Sequence, residues 1–132
     1  MKLQKNTAAK SFTENVCPVK DILSRFGDKW SMYTILILGR REKLRFNELK
    51  GGIGGISQRM LTVTLRSLEE DGIVSRTLYA EVPPKVVYEL TALGKSLLSQ
   101  LLSMASWADE HCQDILDARK KYADKCSAKE PV

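Results

Sequence analysis

Gln58, Arg59, Thr62, Val63 and Arg66 fall on one side of a helical repeat, and their side chains are equipped to read DNA. Amide and guanidinium groups donate to base edges and phosphates, and a valine methyl can lie against a thymine methyl. The run that carries them, SQRMLTVTLRSLEEDG, places Leu61, Leu65 and Leu68 at helical spacing on the opposite face. Ser57 is placed to cap the start of this helix and is counted with the DNA-facing set, and Gly72 is placed to end it. Two runs rich in β-branched and aromatic residues follow, VSRTLYA and KVVYELT, with prolines at the turn between them. A polar, basic helix leading straight into a basic hairpin is the pattern of a winged helix-turn-helix. Arg76 on the hairpin face, Lys85 by its tip, and Arg45 and Lys50 flanking a preceding helix are the phosphate candidates. Such contacts set affinity and register, whereas base contacts set sequence choice.

Cys17 is the second position with chemistry. It precedes Pro18, a residue suited to the first helical turn, so the thiol falls at a helix N-terminus with Lys20 nearby. Oriented amides and positive charge stabilise a thiolate, the nucleophilic and oxidisable form. Glu14 and Asp21 oppose that effect, and a capping or buried thiol without a signal role is the bland alternative. The remaining motifs carry no chemistry. GGIGG at 51–55 lacks the preceding strand and following Lys-Ser/Thr of a phosphate loop, and reads as a flexible turn. His111 and Cys112, with distant Cys17 and Cys126, have no metal-ligand spacing, so neither a metal nor a cofactor is expected. A single histidine, without a nucleophile elbow or partnered carboxylates, gives no hydrolase site, and no enzyme is expected.

The elements that must hold these residues can be placed in outline. Residues 1–16 are polar and read as a loose arm. A first helix runs from Cys17-Pro18 to Phe26 and stops at Gly27. Asp28 caps a second, KWSMYTILILG, apolar on nearly every face through Trp30 and Ile35–Leu38, which predicts burial all round and a stop at Gly39. Leu44–Phe46 read as a short strand or lead-in. Phe46 and Leu49 anchor a short third helix ending at Gly51-Gly52. In the hairpin, alternation assigns Leu78, Val86, Tyr88 and Leu90 to the core. Thr91 caps a long last helix whose stripe through Leu97, Leu101, Met104, Trp107 and Ala108 exceeds what a small winged domain covers. That surplus points to a partner helix from a second subunit, hence a homodimer. From Arg119 the apolar rhythm is lost, so 119–132 read as a polar, fraying tail and 17–118 as the one domain.

Composition agrees. The chain has 132 residues, 43% of them hydrophobic and 28% charged, enough for one core. A net charge of +5 and a pI of about 9.2 suit a polyanionic partner. No run resembles a signal peptide or approaches the ~20 apolar residues needed to span a bilayer, so no membrane partner is expected and the cytoplasm is the expected location. Three widely spaced cysteines argue against a disulfide framework.

The blocks CPV (17–19), GDKW (27–30), RFNEL (45–49), GISQRMLT (55–62), LRSLEEDGIV (65–74), VPPKVVYELT (82–91) and LGKSL (93–97) together closely resemble the HxlR-type helix-turn-helix regulators, relatives of the MarR group. The resemblance runs from Cys17 to about Asp109. It weakens at Val63-Thr64, where longer polar or basic side chains are expected. It implies an α+β, mainly α, winged helix-turn-helix with a long C-terminal dimerisation helix, and a dimeric bacterial transcription factor on near-palindromic promoter DNA. Part of the family responds to electrophiles or oxidants through a cysteine in the CPV position, which here is Cys17. Cys112, on the dimerising helix, is the more suitable protein partner for that thiol than Cys126. Two other readings stand beside it. One is the same double-stranded-DNA binder tuned by a non-covalent small-molecule effector. The other is a winged-helix protein-interaction module without specific DNA binding.

Overall fold

The computed structural model describes residues 18–129, so the arm 1–16 and Cys17 lie outside the described residues. In chain order the elements are α1 (Pro18–Phe26), α2 (Lys29–Arg41), β1 (Lys43–Leu44), α3 (Phe46–Ile53), α4 (Gln58–Glu70), β2 (Val74–Tyr79), β3 (Lys85–Leu90) and α5 (Ala92–Lys129). The fold is thus mainly helical, with a three-stranded antiparallel sheet in the order β1-β3-β2. The chain divides into two units after Leu98.

In the unit ending at Leu98, α2 is the central helix. Asp28 caps it by accepting the Ser31 N–H at 3.3 Å. Ser31, Thr34, Ile35 and Leu38 recur at i, i+3, i+4 and i+7, and all four are buried. The Thr34 hydroxyl donates to the Trp30 carbonyl at 2.7 Å, which satisfies a polar group that would otherwise be costly there. Burial is therefore one stripe rather than all round: Tyr33 is exposed, and Leu36 and Ile37 are half-buried. Nor does α2 stop at Gly39. It runs two residues further, because Gly39 is a packing position: a Cβ built there would lie 2.4 Å from a Leu98 methyl. The absent side chain lets α2 and the start of α5 approach closely. Ile35, Leu38, Leu49, Leu61, Leu68, Ile73 and Val74 complete an almost sealed core.

Two further expectations need correction. The third helix does not end at Gly51-Gly52 but carries both glycines to Ile53, and a Cβ on Gly52 would meet the Ile37 side chain. Leu78 is exposed, and Val87 is buried in its place. Alternation assumes one inner face along the whole ribbon, whereas only the base of this hairpin rests on helices. Val74 and Leu90 pair there and are both buried, while Leu78 and Val86 pair nearer the tip. Val87 is covered on the other face, where it lines a cleft with Leu44 and Phe46.

The entry to α5 is built as the sequence suggests. Thr91 accepts the Gly94 N–H at 3.0 Å and donates its hydroxyl to the Gly72 carbonyl, with the Ile73 carbonyl 3.2 Å away, tying the helix start to the turn that follows α4. In the unit beginning at Ser99, α5 continues to Lys129, ten residues past the Arg119 where fraying was expected. Leu101 is buried, but Leu102, Met104, Trp107, Leu116 and Tyr122 are between 47% and 69% exposed. Trp107 stacks on His111 with ring centroids 4.6 Å apart. Cys112 and Cys126 are both exposed free thiols.

Candidate nucleic-acid interface

The outward face of α4 is presented by its own leucines. Burying Leu61, Leu65 and Leu68 with Thr64 turns Gln58, Arg59, Thr62, Val63 and Arg66 outward, and all five are exposed. The helix start is fixed by Ser57, whose hydroxyl accepts the Met60 N–H at 3.0 Å. The Thr62 hydroxyl donates to the Gln58 carbonyl at 2.9 Å, in an exposed position. Met60 is exposed beside them, a contact candidate that the sequence reading passed over. Thr64 is buried, so of the Val63-Thr64 pair only Val63 is presented outward.

The preceding turn sets the angle of α4 on α3. Gly54 and Gly55 have φ of 74° and 73°, a left-handed backbone that glycine adopts without strain. Nothing lies within 4 Å of a Cβ added at either, so the turn needs glycine for its backbone and not for space. At the start of α3, Glu48 reaches back to accept the Arg45 N–H at 2.8 Å, which leaves the Arg45 side chain exposed to solvent.

Two clefts meet at Phe46, which lines both. One is lined by Thr62, Arg66 and Glu69 of α4 together with Arg76 of β2 and Tyr88 of β3. The other holds Arg45 and Glu48 with Tyr79, Glu81 and Lys85 of the hairpin. The structure therefore brings together Thr62, Arg66 and Arg76 on one side of Phe46, and Arg45 and Lys85 on the other. Lys50 lines neither cleft and stands exposed in the last turn of α3. Lys85 pairs with Tyr79 across the hairpin, its ammonium 5.5 Å from the ring centroid, which steadies a flexible cation. If Arg76 and Lys85 meet phosphates, replacing either with alanine should lower the slope of log affinity against log salt by about one unit, with sequence preference kept. A salt titration of each variant by fluorescence anisotropy checks this, and an unchanged slope would remove that residue from the contact set.

One contact was not legible beforehand. Arg25 of α1 donates through Nε to Asp71 Oδ2 at 2.7 Å and through Nη2 to Glu70 Oε1 at 3.2 Å, both at the far end of α4. The hydrogen bond to Asp71, and after it that to Glu70, holds the guanidinium above its ordinary pKa. Among the described residues no group of histidine, cysteine and carboxylate side chains could hold a metal ion, and no helix is long and apolar enough to cross a membrane.

A helix pair joined by a tight glycine turn, with the second helix turned outward and a basic hairpin beside it, defines a winged helix-turn-helix protein of the DNA-binding regulator class. The chain belongs to the HxlR-like helix-turn-helix family, whose family model matches residues 25–116. It is 42% identical over 113 residues to the HTH-type transcriptional regulator YdeP of Bacillus subtilis (strain 168), covering 83% of this chain and 86% of that one. In structure it is similar to the transcriptional regulator ytfH from Salmonella typhimurium, with a TM-score of 0.73, 32% identity, and coverage of 81% of this chain and 95% of that one. It is also similar to the redox regulator HypR in its reduced form, with a TM-score of 0.65, 41% identity, and coverage of 76% and 98%. The protein is a transcriptional regulator, not an enzyme.

Proposed function

We propose that this regulator works as a homodimer on a near-palindromic operator and changes its DNA affinity when the Cys17 thiol is modified. The observation that carries the DNA reading is the outward face of α4, where Gln58, Arg59, Thr62, Val63 and Arg66 are all exposed beside the two clefts that gather Arg45, Arg66, Arg76 and Lys85. In this reading the first turns of α4 enter the major groove and the hairpin rests on phosphate. The exposed Met104, Trp107 and Ala108 of α5, continuing the stripe from Leu97 and the buried Leu101, are the surface that a second subunit would cover. Apolar side chains exposed in such density on one helix mark a protein contact.

The thiol reading rests on the place of Cys17 immediately before Pro18, where α1 begins, and on likeness to HypR, a redox regulator. Anisotropy titration on DNA from beside the protein's own gene, with excess competitor, is the test, run before and after a mild thiol oxidant. Wild-type affinity should shift on oxidation, and Cys17→Ser should bind DNA normally but lose that shift. A Cys17→Ser protein that responds to oxidant and quinone as wild type does would sink the thiol switch.

A second reading keeps the DNA binder and replaces the thiol with a non-covalent effector. It draws on a recess lined by the apolar Leu38, Gly39, Leu90 and Leu98 and by charges of both signs, Arg41, Lys43 and Lys95 with Glu42 and Glu89, which suits a small amphiphile. A response to such a molecule that survives loss of Cys17 distinguishes this reading from the first.

A further inference from the structure

The C-terminal end of α4 is built against its own electrostatics. Glu69, Glu70 and Asp71 crowd the negative pole of the helix dipole, and the last turn holds no basic residue to offset them. The missing cation comes from another element. Arg25 forks onto Asp71 Oδ2 at 2.7 Å and Glu70 Oε1 at 3.2 Å, and its Nη2 also donates to the Ser67 carbonyl at 3.4 Å. One guanidinium thus engages two carboxylates and a carbonyl of the final turn, an arrangement that a lysine cannot reproduce. The dependence also runs the other way. No residue of α1 is buried, and Val19, Ile22 and Leu23 are all more than 40% exposed, so α1 has little core packing to hold it.

We infer that Arg25 is a positioning residue for DNA recognition: it fastens the end of α4 to α1, so that the placement of α1 sets the angle at which α4 meets the operator. The Arg25 guanidinium is engaged by Asp71, Glu70 and the Ser67 carbonyl at the C-terminal end of α4, the opposite end from Gln58 and Arg59, so its effect passes through the helix. The inference rests on the DNA reading above and gives that reading a route by which a change at the start of α1 reaches the DNA face.

The test compares Arg25→Ala and Arg25→Lys with wild type, using an operator recovered by selection from random duplexes. Amide hydrogen exchange of the DNA-free proteins is followed at residues 67–71. Arg25→Ala should speed exchange there, while amides of α3 and β3 keep their protection and report an intact fold. Losing one helix-end cation should cost about threefold at each half-site, hence about tenfold for a dimer that reads two. The salt slope should stay at its wild-type value, because no phosphate contact is lost. Arg25→Lys keeps the charge without the fork and should fall between the two. The inference is overturned if Arg25→Ala exchanges and binds as wild type does, if its salt slope falls by about one unit, or if specific and non-specific DNA weaken alike. Should the wild type select no operator, the DNA reading fails alone, and exchange at residues 67–71 still decides whether Arg25 holds α4.

Discussion

Arg59→Ala is expected to weaken operator binding about a hundredfold while leaving the fold intact. Arg59 sits in the first turn of α4, exposed, two residues past the Ser57 cap. The side chain faces solvent, so alanine removes no core packing. The first turn is the part of such a helix that goes deepest into the major groove. A guanidinium that pairs bidentately with guanine is worth about 1–3 kcal/mol of discrimination. A dimer spends that twice, so the loss is about 2–6 kcal/mol, or from roughly thirtyfold upward. Affinity for scrambled DNA should fall far less, because that binding is carried by phosphate contacts spread over several cations. The ratio of operator to scrambled affinity, from anisotropy titrations at one salt concentration, is the quantity to measure. A ratio unchanged in Arg59→Ala would remove α4 from base reading and favour a winged-helix module used for protein contacts.

The largest expected effect on stability is at Gly94. A Cβ built there would lie 2.2 Å from the Ile73 carbonyl oxygen and 3.2 Å from a Leu90 methyl. The first neighbour is backbone and cannot swing away. It is also fixed, since the Ile73 carbonyl already accepts the Thr91 N–H at 3.0 Å. Gly94→Ala must therefore push the start of α5 away from the turn between α4 and the hairpin. Forced overpacking of this kind costs about 1–3 kcal/mol, and backbone overlap places this case at the upper end or beyond. In a domain of this size that lowers Tm by roughly 10 °C. Thermal unfolding followed by circular dichroism measures the change. A Tm within experimental error of wild type would mean that α5 can shift at little cost and that its start does not fix the hairpin.

What the sequence made legible is what local periodicity and capping chemistry determine. Leu61, Leu65 and Leu68 gave the inner face of α4 and so its outer one, and Ser57 and Thr91 marked helix starts because their hydroxyls have nearby N–H groups to satisfy. Helix and hairpin signals read in turn along the chain gave the order of elements. What stayed hidden depends on partners distant in sequence. Gly39 looks like a helix stop until Leu98 is seen to need its space, and Gly52 likewise until Ile37 is placed. Leu78 and Val87 exchange expected roles because the hairpin leaves the helices midway along its length and because β1 pairs on its other edge. The Arg25 fork joins two helices across more than forty residues, beyond the reach of any spacing rule. Arg45, Arg66, Arg76 and Lys85 could be named individually as basic residues, but their gathering about Phe46 follows only from how α3, α4 and the hairpin pack.

Selection of operator DNA from a pool of random duplexes, using the reduced full-length protein, bears most directly on the proposal that two subunits read DNA through α4. The expected winner is an inverted repeat whose half-sites lie about one helical turn apart, roughly 34 Å, or a whole number of turns. Enrichment should vanish with Arg59→Ala. A pool that returns no consensus, or a single unrepeated site, would contradict a symmetric pair of α4 helices acting on the operator.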